Sequence, residues 1–164
     1  MSIDRFVFAT VLTGVLLLAA SPLCRADEMS PAEQAFSDSM KNATLVGFFT
    51  MGGREEQPLK PERYDIESAV KASGKLWIFT VRIKYGNLDT KLPVTVPMEW
   101  AGDTPMVSLT DAAIPGLGAG FSARVLFDGN RYAGTWKHGA AGGHMFGRIE
   151  RAAEKSAAGL EDSQ

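Results

Sequence analysis

The chain has 164 residues, 45% hydrophobic and 22% charged, with a formal net charge of −2. So mild a balance, with no basic cluster, argues against nucleic acid or an anionic membrane surface as the main partner. At this length a single domain buries a sizeable core without covalent staples.

Arg5 precedes an almost unbroken apolar run from Phe6 to Ala20, and Cys24-Arg25-Ala26 places small residues at the −3 and −1 positions of a cut before Asp27. That layout predicts a secretory signal peptide over residues 1–26, and hence an exported protein, periplasmic or secreted. The run is interrupted by Thr10, Thr13 and Gly14 and followed by Pro22. It falls short of the roughly 20 apolar residues that a bilayer span requires, so no transmembrane anchor is expected in the mature chain. Ser21-Pro22-Leu23 lacks the aliphatic residue three before Cys24 that a bacterial lipoprotein signal shows. Cleavage would remove the single cysteine, leaving no disulfide, thiolate nucleophile or cysteine metal ligand. Without Arg5, Arg25 and Asp4 the remainder carries 15 cations and 18 anions.

Residues 27–42 read as a short helical lead-in. Ser30-Pro31-Ala32-Glu33 is a capping-box start with proline at the first helical position, and Ala32, Ala35, Phe36 and Met40 follow at helical spacing. From Ala43 the period changes to two. Leu45, Gly47, Phe49 and Met51 share one parity, as do Tyr64, Ile66, Ser68 and Val70. Trp77, Phe79, Val81, Ile83 and Tyr85 form the strongest alternation, followed by Leu92 to Trp100, Val107 and Leu109, Phe121 to Phe127, Arg131 to His138 and His144 to Glu150. Residues 43–150 are therefore expected to be an all-β domain, an antiparallel sandwich or incompletely closed barrel of about eight strands. Asp128-Gly129 marks a tight hairpin, in which a loop at Gly129-Asn130 sets Phe127 opposite Tyr132 and a loop one residue earlier sets Val125 there. Pro93 and Pro97 share a parity and lack an N–H, so that side of their strand cannot carry a full ladder. This points to a sheet edge and weighs against a fully closed barrel. Residues 151–164 form a polar tail with no apolar stripe.

Both histidines fall in Tyr132-Ala133-Gly134-Thr135-Trp136-Lys137-His138-Gly139-Ala140-Ala141-Gly142-Gly143-His144-Met145-Phe146-Gly147. Its glycines suit a backbone that bends sharply or is closely approached. The run resembles the C-terminal signature of a group of bacterial exported small β-proteins, and Trp100-Ala101-Gly102-Asp103-Thr104-Pro105 and Ile114-Pro115-Gly116-Leu117-Gly118 are similar to that group as well. The resemblance implies export and a β-fold; it brings no activity with it. Gly134-Thr135-Trp136 also resembles the glycine–x–tryptophan of lipocalin-like barrels, although there the motif lies on the first strand.

With Gly139 to Gly143 as the loop, His138 and His144 would face each other and Trp136 would pair with Phe146. Trp136, His138, His144 and Tyr132 are then the candidate ligand-contacting residues, with His138 and His144 as candidate metal ligands or base. A zinc site normally needs a third protein ligand, and none stands at fixed spacing. No cofactor is implied apart from that metal ion. The expected role is non-enzymatic binding of a small ligand, glycan or envelope component through this end of the domain. The alternative is a metal-assisted enzyme built on the histidine pair.

Overall fold

The computed structural model describes residues 28–53, 56–85 and 88–151. The expected signal peptide, Cys24 and all of the tail but Arg151 lie outside the described residues. One helix, α1 (Pro31–Met40), precedes β1 (Ala43–Phe49), β2 (Lys60–Ser73), β3 (Leu76–Tyr85), β4 (Leu88–Ala101), β5 (Thr104–Ile114), β6 (Gly118–Asp128), β7 (Arg131–His138) and β8 (Ala141–Glu150). The strands form an up-and-down antiparallel meander, and pairing of β1 with β8, from Thr44 opposite Glu150 to Phe49 opposite Met145, closes it into a barrel.

Closure corrects the expectation of an open edge, yet the reason for that expectation is visible in the seam. Met98 N–H donates to Lys75 O on the β3 side at 2.8 Å. By strand alternation Pro93 and Pro97 turn their missing donors toward β5. The β4–β5 ladder has only four residue pairs, Met98↔Val107 to Ala101↔Thr104, and stops just short of Pro97. The prolines shorten a seam; the other seven ladders hold the barrel shut.

Register slips in the β2–β3 and β5–β6 ladders supply local bends that help a flat ribbon to close. In β2 the register slips between Ile66 and Ser68, so Tyr64 and Ile66 share the inward face with Ala69 and Lys71 rather than with Val70. Val70 is accordingly left 45% exposed, against the simple alternation read from the sequence. In β5 the slip follows Leu109, where Asp111 takes φ 45° and its N–H donates to Ser122 Oγ at 2.9 Å. Arg124 braces that bulge from outside, donating to Leu109 O and Thr110 Oγ1.

The helix seals one end. Its capping box forms as the sequence predicts, with Glu33 N–H donating to Ser30 Oγ at 3.2 Å and Ser30 N–H to Glu33 Oε2 at 2.7 Å. Asn42 leaves the helix at φ 54°, a left-handed position that asparagine tolerates, and its N–H donates to Glu67 O. Phe36 and Met40 are thereby driven into the barrel end, both buried. The Phe36 ring lies 5.4–6.2 Å from those of Phe127, Trp77, Trp100 and Phe79, within the range of edge and tilted aromatic packing. Lys71, turned inward by the β2 bulge, meets Glu33 at 3.1 Å with both side chains mostly shielded from solvent. Trp77 is fully buried, and its Nε1 finds no acceptor among the described residues.

Candidate functional site

Inward-facing side chains change character along the barrel axis. Near α1 most are buried: Leu45, Ile66, Ala69, Trp77, Phe79, Val96, Met98, Leu109, Val125, Phe127 and Ile149 form one cluster with Phe36 and Met40, against which the partly buried Trp100 and Val107 pack. Toward the opposite end, where the 50–59 connection and the β7–β8 turn lie, Phe49, Glu62, Tyr64, Ile83, Phe121, Ala123, Trp136 and Met145 are only half-buried. No helix covers that end among the described residues.

A carboxylate sits at the boundary between the two halves. Glu62 stands opposite Gly47 on β1, Gly47 stands opposite Gly147 on β8, and Gly147 stands opposite Tyr132 on β7. The Tyr132 side chain crosses this row of glycines to reach Glu62, its hydroxyl donating to Oε1 at 2.8 Å. A Cβ at Gly47 would collide with the Tyr132 hydroxyl, and one at Gly147 would lie 2.8 Å from Tyr132 Cε1. The two glycines are therefore a slot for the ring. From the same strand as Glu62, the Tyr64 hydroxyl donates to Oε2 at 3.2 Å.

Burial pushes the Glu62 carboxyl above its ordinary range, and the two donated hydrogen bonds only partly offset this. Burial, with the Glu62 charge adding to it, pushes both phenols up as well. Tyr64 and Tyr132 are thus protonated donors at neutral pH, unsuited to act as bases. Among the described residues Glu62 makes no ion pair.

The rim of the open end is aromatic. Phe49 packs edge-on against Trp136 at 5.7 Å, and Trp136 Nε1 donates to Thr50 O at 3.2 Å. That carbonyl sits against Gly143, where any Cβ would clash with it. Thr50 and Gly52 extend the β1 pairing through their N–H groups to His144 O and Gly142 O. Phe121 and His138, register partners on β6 and β7, stack face to face at 3.9 Å and 8°.

The β7–β8 register corrects the expected histidine pair. The turn is the two-residue Gly139-Ala140, which sets His138 opposite Ala141, Thr135 opposite His144 and Trp136 opposite Gly143. Gly139 at φ 58° makes this tight turn accessible, so the five-residue loop is not used. His138 keeps the inward parity of Trp136 and lies exposed at the rim. His144 has the outward parity, is exposed, and its Nδ1 lies 3.5 Å from Thr50 Oγ1. Two imidazoles on opposite faces of a ribbon do not share a metal ion, and the described residues contain no group of three histidine, cysteine or acidic side chains able to hold one. Of the four candidate residues, Tyr132, Trp136 and His138 follow the inward face; His144 does not.

Glu62 and Tyr64 were not among the sequence candidates. Their signal was present: a carboxylate two residues before Tyr64 and four before Ile66, on the apolar parity, with Arg63 and Asp65 on the other. Starting the strand at Tyr64 hid it.

The outer side of β5–β7 carries a shallow groove of about 630 Å³, bordered by Thr110, Ser122, Arg124, Thr135 and Lys137 and also lined by Ala123 and Trp136. Its most distinctive group, the Arg124 guanidinium, already brackets Leu109 O and Thr110 Oγ1, so the aromatic end with its carboxylate is the better-equipped site. Comparison with protein-family models, with curated proteins and with solved structures found no match.

Proposed function

We propose that this is an exported, non-enzymatic ligand-binding barrel that admits a small molecule at the end opposite α1. The observation that carries the reading is the contrast in burial of inward-facing side chains, which are mostly closed to solvent near α1, Trp100 and Val107 excepted, and half-open around Phe49, Tyr64, Phe121 and Trp136. An apolar, aromatic lining with a few convergent polar groups is the usual constitution of a small-molecule site. Phe49, Phe121 and Trp136 offer the apolar body of a ligand its contacts; Glu62, Tyr64 and Tyr132 offer a polar end something to orient against. The exported address rests on the pattern of residues 1–26, and N-terminal sequencing of the protein recovered from culture fractions tests it, with Asp27 as the expected first residue.

Binding is tested with Nile red, a neutral dye whose emission brightens and shifts to the blue in an apolar site. Saturable blue-shifted emission at one site per chain, weakened several-fold in Phe49→Ala but unchanged in Arg124→Ala, supports the barrel end. Emission lost in Arg124→Ala and kept in Phe49→Ala would move the site to the outer groove and overturn the reading.

A further inference from the structure

We infer that the ligand class is an organic cation, a primary ammonium carried on an apolar body about the size of one aromatic ring. The inference rests on the reading of the open end as a binding site and adds the charge of what enters it. A carboxylate withdrawn from water is restored to its ionised form by a neighbouring cation or else takes up a proton. Glu62 has neither an arginine nor a lysine against it among the described residues. Each of its oxygens accepts one tyrosine hydroxyl, at 2.8 and 3.2 Å, whereas an ionised carboxylate has about four acceptor sites. Half of that capacity is left for a donor arriving through the open end.

Among the described residues, the basic side chains on the inward face at the opening agree with this assignment. Lys60, on the same face as Glu62 and nearer the rim, directs its Nζ to Met51 Sδ at 3.6 Å, and His138 is stacked on Phe121. Neither neutralises Glu62. Trp136, Phe49 and Tyr64 share the inward parity of Glu62 and are half-buried, and aromatic faces attract an ammonium group through their quadrupole. An anionic ligand would meet Glu62 as a like charge; a neutral one would leave the carboxylate as desolvated as before.

Three probes with similar bodies separate the possibilities: phenethylamine, 2-phenylethanol and phenylacetate, titrated calorimetrically into the wild-type protein and Glu62→Gln at pH 7. The expected result is phenethylamine at least tenfold tighter than 2-phenylethanol, phenylacetate weakest, and the preference for the amine lost in Glu62→Gln. If Glu62→Gln does not fold, the wild-type protein at pH 5 provides a second readout. Phenethylamine should then release protons, seen as a binding enthalpy that depends on the buffer's ionisation heat, and 2-phenylethanol should not. Equal affinity for amine and alcohol, a preference that survives Glu62→Gln, or no proton release overturns the inference. If Nile red still binds at the Phe49 end in that case, the ligand-binding reading stands and only the cation is wrong. If Nile red fails as well, both fall.

Discussion

The two ends of the barrel handle an inward charge in opposite ways. At the helix end, Lys71 is turned inward by a bulge and meets Glu33, an acid already committed to the capping box of α1. At the other end, Glu62 is turned inward by ordinary alternation and, among the described residues, its carboxylate accepts hydrogen bonds from two phenols alone. The first arrangement closes its own charge and locks the helix onto the barrel. The second leaves a half-buried carboxylate without a counter-charge among the described residues, a cost to stability that a binding site would give reason to retain. Pairing belongs to the sealed end; in the proposed reading, its lack among the described residues marks the end that admits a ligand.

Removing the plug should have the largest effect. Phe36→Ala deletes the ring shared by Trp77, Phe79, Trp100 and Phe127, and a loss of about 3–5 kcal/mol in chemical denaturation is expected. A loss below about 1 kcal/mol would mean that α1 does not seal the barrel. Next comes Gly147→Ala, whose methyl would press on Val46 O and the Tyr132 ring. Overpacking of this kind costs about 1–3 kcal/mol, and here it should also displace Tyr132 from Glu62. Tyrosine side-chain signals in the NMR spectrum would report that displacement, and unaltered signals would argue against the glycine slot.

Smaller effects appear in the pH dependence, where the two ends differ in sign. Burial raises the Glu33 carboxyl, but hydrogen bonds from Ser30 and the Lys71 charge outweigh it, so its folded pKa lies below the ordinary 4.5. Its contribution is present above 4.5 and is lost as pH falls through the lower folded value. The folded pKa of Glu62 lies above 4.5, so the folded state holds the extra proton, and stability rises as pH falls through that value toward 4.5. Melting temperatures of Glu33→Gln and Glu62→Gln relative to the wild type should therefore diverge on opposite sides of pH 4.5. At neutral pH, Glu62→Gln should melt higher than the wild type and Glu33→Gln lower. The smallest effect belongs to His138→Ala at the exposed rim, within about 0.5 kcal/mol of the wild type. Loss of the fold in that variant would show the Phe121 stack to be structural cement.

Much of the scaffold can be read from the residues because it depends on short-range rules. Ser30, Pro31 and Glu33 specify the helix start, period-two alternation specifies the strands, and Gly129 with Asn130 forms one of the two hairpin loops open to the sequence, setting Phe127 opposite Tyr132. What alternation cannot see is a slipped residue. One bulge near Glu67 turns Lys71 in and Val70 out, and a turn of two residues instead of five separates His138 from His144. Closure was obscured for a related reason. Pro93 and Pro97 report correctly on one seam, but whether a barrel tolerates a short seam depends on pairing of β1 with β8, about a hundred residues apart in sequence. The Glu62 cradle is also non-local, since its partner Tyr132 comes from the far side of two glycine-bearing strands.

The most direct test of the contrast between the ends is two-dimensional NMR of the protein titrated with phenethylamine. Shifts confined to Glu62, Tyr64, Tyr132, Trp136 and their strand neighbours, with Phe36, Trp77 and Trp100 unmoved, are the predicted result. Shifts centred on α1 and the tryptophans beneath it, or spread along the outer face around Arg124, would contradict the account.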